Sequence, residues 1–126
     1  MSRKVGTAGE HLVCYDLLSN GYDCCLVPGG LEFDLILTKD NDVLRVQVKS
    51  VTNVEKDKKH HRFGIIRRCG KEYYHYGDNA FEIYAFVFLN EKEVFYMNKK
   101  SITNKRSLTL RLEDKNKYTI EECLNG

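Results

Sequence analysis

The sequence predicts a single α/β domain in which one amphipathic helix flanks a sheet built mainly of hairpins. Three observations predict it. Residues 7–20 carry Leu12, Val13, Leu17 and Leu18 at helical spacing, which gives one apolar stripe. Residues 33–50, FDLILTKDNDVLRVQVKS, hold two β-rich runs around a polar turn. Residues 80–99 repeat that pattern, with AFEIYAFVFLN and EVFYMNK on either side of Glu91-Lys92.

The elements follow in order. Thr7 is the expected N-cap of the helix, and Asn20-Gly21 its stop. YDCCLVP, residues 22–28, reads as a short extended segment ending at Pro28, and Gly29-Gly30 then permits a tight backbone path. The first hairpin follows. Residues 51–61 form a polar excursion, RFGIIRR (62–68) reads as one strand, and CGKEYYHYGDN (69–79) as a tyrosine-rich loop. After the second hairpin, SLTLRLE (107–113) alternates apolar and polar as a strand does. The tail from Tyr118 reads either as a short helix or as a docked extended end.

Composition narrows the class. Apolar residues make up 42% and charged residues 30%, ordinary for a globular domain, and 126 residues support one modest core over 1–126. No apolar run spans a bilayer, and MSRKVGTAGEH lacks the apolar region of a signal peptide. Cys14, Cys24, Cys25, Cys69 and Cys123 are odd in number and form no CxxC, so neither a disulfide framework nor a zinc knuckle is expected. A reduced cytoplasmic setting and no membrane partner are the expectations. Net charge is only +2, but residues 55–72 carry seven basic residues against three acidic ones. Lys56, Lys58, Lys59, Arg62, Arg67, Arg68 and Lys71 form either a solvated loop or a phosphate-contacting segment. The His60-His61 pair inside it reads as titratable surface.

The first hairpin raises the chemical question. With Lys39 facing Asp42 across a tight turn, Asp34 lies opposite Gln47, and Lys49 is its diagonal neighbour on the same face. Leu44, Val46 and Val48 take the other face. A carboxylate, an amide and an ammonium then cluster within roughly 5–8 Å. A solvated sheet face explains that equally simply. Glu10 bears on the choice. TAGE (7–10) matches a capping box, which would send Glu10 back to the N-cap amide. Its spacing of three and seven from Val13 and Leu17 instead aims it towards the core-facing side, where a charge needs a partner. Two carboxylates, an amide oxygen and a lysine suit Mg²⁺ or Mn²⁺, and phosphodiester hydrolysis uses such a set.

The order helix-Glu10, strand-Asp34, strand-Gln47-Val48-Lys49 resembles the PD-(D/E)XK nuclease superfamily. Within it, the chain is most similar to the branch containing a cyanobacterial group I intron homing endonuclease. The resemblance runs through GTAGEHLVCYDLLSNGYD, FDLIL, VLRVQVKS, IIRRCGK, YGDNAFEIYAFVF, EVFYMNKKSI and SLTLRL. It implies a restriction-endonuclease-like αβββαβ core with a mixed central sheet and a flanking helix. It also implies Mg²⁺-dependent cleavage of double-stranded DNA, leaving 3′-hydroxyl and 5′-phosphate ends. Asp34 would be the central metal ligand and Glu10 a helix-borne one. By the same resemblance Gln47 would take the place of the usual second acidic ligand, the Val48 carbonyl could also face the metal, and Lys49 would orient or polarise the attacking water.

Gln47 removes one negative charge from that pattern, and FD replaces PD without chemical consequence. Glu82 stands where relatives often carry Asp and reads as peripheral. One site cuts one strand, so a homodimer or homotetramer is expected. Two other readings stay open: a Holliday-junction resolvase on the same skeleton, and a non-catalytic DNA-binding accessory protein that kept the fold.

Overall fold

The computed structural model describes residues 3–29, 31–52, 59–65, 67–69, 72–74, 80–102 and 105–125. Helix α1 (Arg3–Ser19) begins a turn earlier than Thr7. Thr7 is therefore inside the helix, where its hydroxyl donates to the Arg3 carbonyl at 3.0 Å instead of capping an end. The capping-box role for Glu10 falls with it. The stop is the expected one: Gly21 takes φ +90°, and the amide of Tyr22 returns to the Leu17 carbonyl at 3.0 Å.

Strands β1 (Asp23–Leu26), β2 (Leu35–Lys39) and β3 (Asp42–Val51) follow. The β2–β3 register pairs Lys39 with Asp42 and Leu35 with Val46, as the hairpin reading requires. The turn between them is tight because Asp40 accepts φ +56°, a conformation that Asp tolerates better than most residues. The expected single strand over 62–68 is two. β4 (His60–Gly64) pairs with β9 (Ser107–Arg111), while β5 (Arg67–Cys69) pairs with β6 (Glu72–Tyr74), inside the expected loop. The break follows Ile65, which is buried and donates its amide to the Arg106 carbonyl at 3.1 Å. β7 (Ile83–Phe88) and β8 (Glu93–Asn98) form the second hairpin, and α2 (Ile120–Asn125) resolves the tail as a short helix.

The main sheet runs β1-β2-β3-β7-β8. Only β3 and β7 are parallel, so the sheet is mixed, with its parallel pair at the centre. The described part of the β3–β7 connection includes β4 to β6. Each face carries its own core. On one, α1 and α2 bury Val13, Leu17, Ile120 and Cys123 against Leu35, Leu37, Val46, Val48, Ala85 and Val87. On the other, Phe63, Ile65 and Leu110 close over Tyr84, Phe86, Phe88 and Phe95. Both faces of β7 are therefore covered, which is why IYAFVF is apolar throughout and every residue of it is buried. Among the described residues no helix is long and apolar enough to cross a membrane.

These cores set a stability contrast. Leu37→Ala, at a fully buried position, is expected to cost about 2–5 kcal/mol. Leu18→Ala, on the exposed side of α1, should stay within about 0.5 kcal/mol of the wild type. Urea unfolding of the two variants checks this, and equal losses would contradict the assignment of faces.

Candidate active site

Asp34 sits just outside the β2 ladder and grips β3 twice. Its amide donates to the Val46 carbonyl at 2.8 Å, and its Oδ2 accepts from the Val48 amide at 2.7 Å. The carboxylate is thus fixed by backbone that β2 no longer pairs. Along β3, Val46, Val48 and Ser50 are buried beneath α1, while Arg45, Gln47 and Lys49 alternate onto the other face. There the parallel register sets Gln47 beside Tyr84 and Lys49 beside Phe86. The Gln47 amide lies against the Val48 carbonyl, with Nε2 3.4 Å from that oxygen.

Glu10 comes from α1, on the other side of β3 from Lys49, to within charge-interaction range of Asp34. The buried helix stripe is Gly9, Val13 and Leu17, and Glu10 stands half-buried at its rim. Gly9 makes this approach possible. A Cβ there would lie 1.8 Å from Ser50 Oγ and 2.9 Å from Ser50 Cβ. Ser50 Oγ is itself buried with no hydrogen-bond partner among the described residues. Helix and strand therefore meet through a hydrogen atom at this point, one residue from Glu10 and one from Lys49.

The electrostatics agree with a shared site. Burial raises the Glu10 carboxyl above its ordinary range, the nearby Asp34 charge adds to that, and His11 opposes it. Burial also raises Asp34, against the Val48 amide bond and the Lys49 charge, which both favour the ionised form. Burial is the larger cause for both carboxylates, and a carboxylate taken out of water gains from a cation beside it. Among the described residues no three His, Cys, Asp or Glu side chains group as a metal site. The oxygens that could serve a metal here are the Glu10 and Asp34 carboxylates, the Val48 carbonyl and Gln47 Oε1. A half-turn of the Gln47 amide exchanges its nitrogen for its oxygen beside Val48. All four donors are hard oxygens, so the residues present fit Mg²⁺ or Mn²⁺.

Of the basic residues picked out in the sequence, Lys59 and Arg62 are exposed. Lys56, Lys58 and Lys71 lie outside the described residues, and Arg67 and Arg68 fall on β5, for which the backbone alone is described. Sequence reasoning missed two supports of the site. One is the Gly9–Ser50 contact, signalled by a glycine spaced four from Val13 and eight from Leu17. The other is Glu82, which accepts from the Arg45 amide at 2.7 Å and from its Nε at 3.2 Å, and pairs through Oε2 with Nη2. Arg45 in turn lies over the Phe33 ring, 5.8 Å from its centroid, next to Asp34. The Arg45 hydrogen bond pulls Glu82 below its ordinary pKa.

A model of the PD-(D/E)XK endonuclease family matches residues 1–122. The chain belongs to this endonuclease family. No curated protein matches it. Among solved structures it is similar to a bacterial homing endonuclease, I-Ssp6803I, at a TM-score of 0.69 and 17% identity, over 87% of this chain and 78% of that one. At that identity the likeness is one of fold.

Both supports can be tested by substitution. Gly9→Ala should destabilise the protein by about 1–3 kcal/mol through overpacking, and Ser50→Gly added to it should restore most of that stability. Additive losses in denaturant unfolding would refute the Gly9–Ser50 packing. For Glu82, the folded pKa is depressed, so its stabilisation is present above the ordinary carboxylate value and disappears as pH falls through the folded one. The melting temperature of Glu82→Gln should therefore sit below wild type at pH 7, with the gap closing in acid. A gap independent of pH would remove the Arg45 pair as its cause.

Proposed function

We propose that this chain is a divalent-metal-dependent DNA endonuclease of the site-specific homing type. What supports the reading is that Asp34 interacts by charge both with Glu10 on α1 and with Lys49 on β3. The family and the homing-endonuclease fold neighbour support it. Asp34, Glu10, Gln47 and the Val48 carbonyl would hold Mg²⁺, with Mn²⁺ as a substitute. Such an ion, when bound, lowers the pKa of water and offsets charge on the phosphoryl oxygens.

The protein's own groups do the rest. The Val48 amide keeps the Asp34 carboxylate in one orientation, so no rearrangement accompanies the reaction. Lys49 offsets charge on the phosphate and orients the attacking water, whose oxygen bonds to phosphorus as the 3′-oxygen leaves and takes a proton. The products are a 3′-hydroxyl and a 5′-phosphate. One site cuts one strand, so cleavage of both strands takes a homodimer or homotetramer. Gln47 favours a second reading, a DNA-binding protein that kept the fold without cleaving, because it leaves the donor set one charge short.

Supercoiled plasmid in Mg²⁺ tests this. Asp34→Ala should lose both nicking and calorimetric Mg²⁺ binding. Lys49→Ala should lose nicking by roughly a thousandfold, equivalent to about 4 kcal/mol of barrier, while still binding the metal and staying folded. Full activity of either variant ends the catalytic assignment. No cleavage of linear, branched or single-stranded DNA by wild type supports the second reading, and cleavage confined to branched DNA points to a junction resolvase.

A further inference from the structure

We infer that the outward face of the β4–β9 ribbon is a docking surface for duplex DNA, with Arg62 and Arg111 on its phosphates. The identity of the polyanion rests on the nuclease reading, while the surface is defined by geometry. His60 pairs with Arg111, Arg62 with Thr109 and Gly64 with Ser107 in a two-stranded antiparallel sheet. Directly opposed residues share a face, so these six lie together. Burial agrees. Arg62, Gly64, Thr109 and Arg111 are exposed, whereas Phe63 and Leu110 on the other face are 4% and 2% exposed.

That inner face packs into the aromatic cluster with Tyr84 and Phe86, and the Tyr84 hydroxyl donates to the Ile65 carbonyl at 3.3 Å. Tyr84 and Phe86 are the ladder partners of Gln47 and Lys49. The ribbon therefore stands on the side of the sheet from which Gln47 and Lys49 project, and its outer face looks away from the core on that side.

Charge identifies the partner. HHRFG and SLTLR contain two arginines and two histidines and no acidic residue. Lys59 precedes β4, and Lys105 and Arg106 lead into β9, all three exposed. Arg62 and Arg111 are diagonal neighbours, with Cα atoms roughly 7–8 Å apart by sheet geometry, and the Arg62 side chain leans the other way along β9, towards Ser107. Arg62 Nε donates to Ser107 Oγ at 2.8 Å, which holds the guanidinium across the ribbon. Guanidinium forks match phosphate oxygens, and a two-stranded ribbon fits a major groove about 12 Å wide.

The test is fluorescence anisotropy of a labelled random-sequence duplex, titrated with salt in EDTA so that nothing is cut. Arg62→Ala with Arg111→Ala should bind roughly tenfold more weakly at low salt. The slope of log affinity against log salt should become shallower by about 1.8, near 0.9 for each phosphate that the protein no longer neutralises. Arg111→Gln alone should change it by about 0.9, and decides the matter should the double variant fail to fold. Lys92→Ala, in the β7–β8 turn, should change neither quantity. Wild-type affinity and slope in the arginine variants would overturn the inference, as would an equal weakening in Lys92→Ala or no duplex binding by the wild type. Wild type that binds through the ribbon yet cuts nothing in Mg²⁺ would leave this inference standing and remove the nuclease reading.

Discussion

The β2–β3 register is the constraint on which the rest of the site depends. Side chains alternate along a strand, so a slip of one residue would carry Gln47 and Lys49 under α1 and turn Val46 and Val48 outward. Two things prevent the slip. Asp40 closes the turn at a positive φ, and Leu35, Leu37, Val46 and Val48 are all buried against the helix face. The apolar packing that stabilises the sheet thus also decides where the polar chemistry points. A core residue such as Leu37 touches no reacting atom, yet it fixes the face on which Lys49 stands.

The second constraint is the distance between α1 and β3. Helices normally pack on sheets through side chains on both partners, which would hold Glu10 well above Asp34. Gly9 removes one of those side chains, and Ser50 is a small partner for it. The closeness has a cost, since Ser50 Oγ is buried with no hydrogen bond among the described residues, which forfeits about 1–3 kcal/mol of hydration. An apolar side chain of the same size would avoid it. What the close approach brings is a carboxylate beside Asp34, and both groups then resist ionisation because of burial and, for Glu10, mutual repulsion.

Much of this is legible in the sequence because alternation and turn chemistry are local. DVLRVQVKS states its two faces outright, and KDND states where the chain reverses. The helix start is hidden because TAGE carries a capping-box pattern, and the residues before it, RKVG, carry no apolar stripe to signal a helix. The split of RFGIIRR into β4 and β5 is illegible for another reason: the partner of β4, SLTLR, lies more than forty residues away, and nothing local announces that pairing. The same holds for Glu82, whose partner Arg45 is 37 positions distant. Long-range partners of polar side chains leave no periodic trace.

Those long-range contacts also set what lies beside the polar face of β3. Tyr84 stacks on Phe86 with ring centroids 5.2 Å apart, and Phe63 meets Phe86 at 5.0 Å. Gln47 and Lys49 stand directly beside those rings in the sheet. Asp34 and Lys49 are both half-buried, and charges at such a boundary interact more strongly than in bulk solvent. The β4–β9 ribbon supplies Phe63 to this wall from its inner face and arginines from its outer one. Its burial against β7 therefore puts an apolar face on the aromatic cluster and leaves Arg62 and Arg111 exposed on the other face. Were the ribbon absent, the hairpin would keep its register, but Tyr84, Phe86 and Phe88 would lose the Phe63, Ile65 and Leu110 cover that buries them.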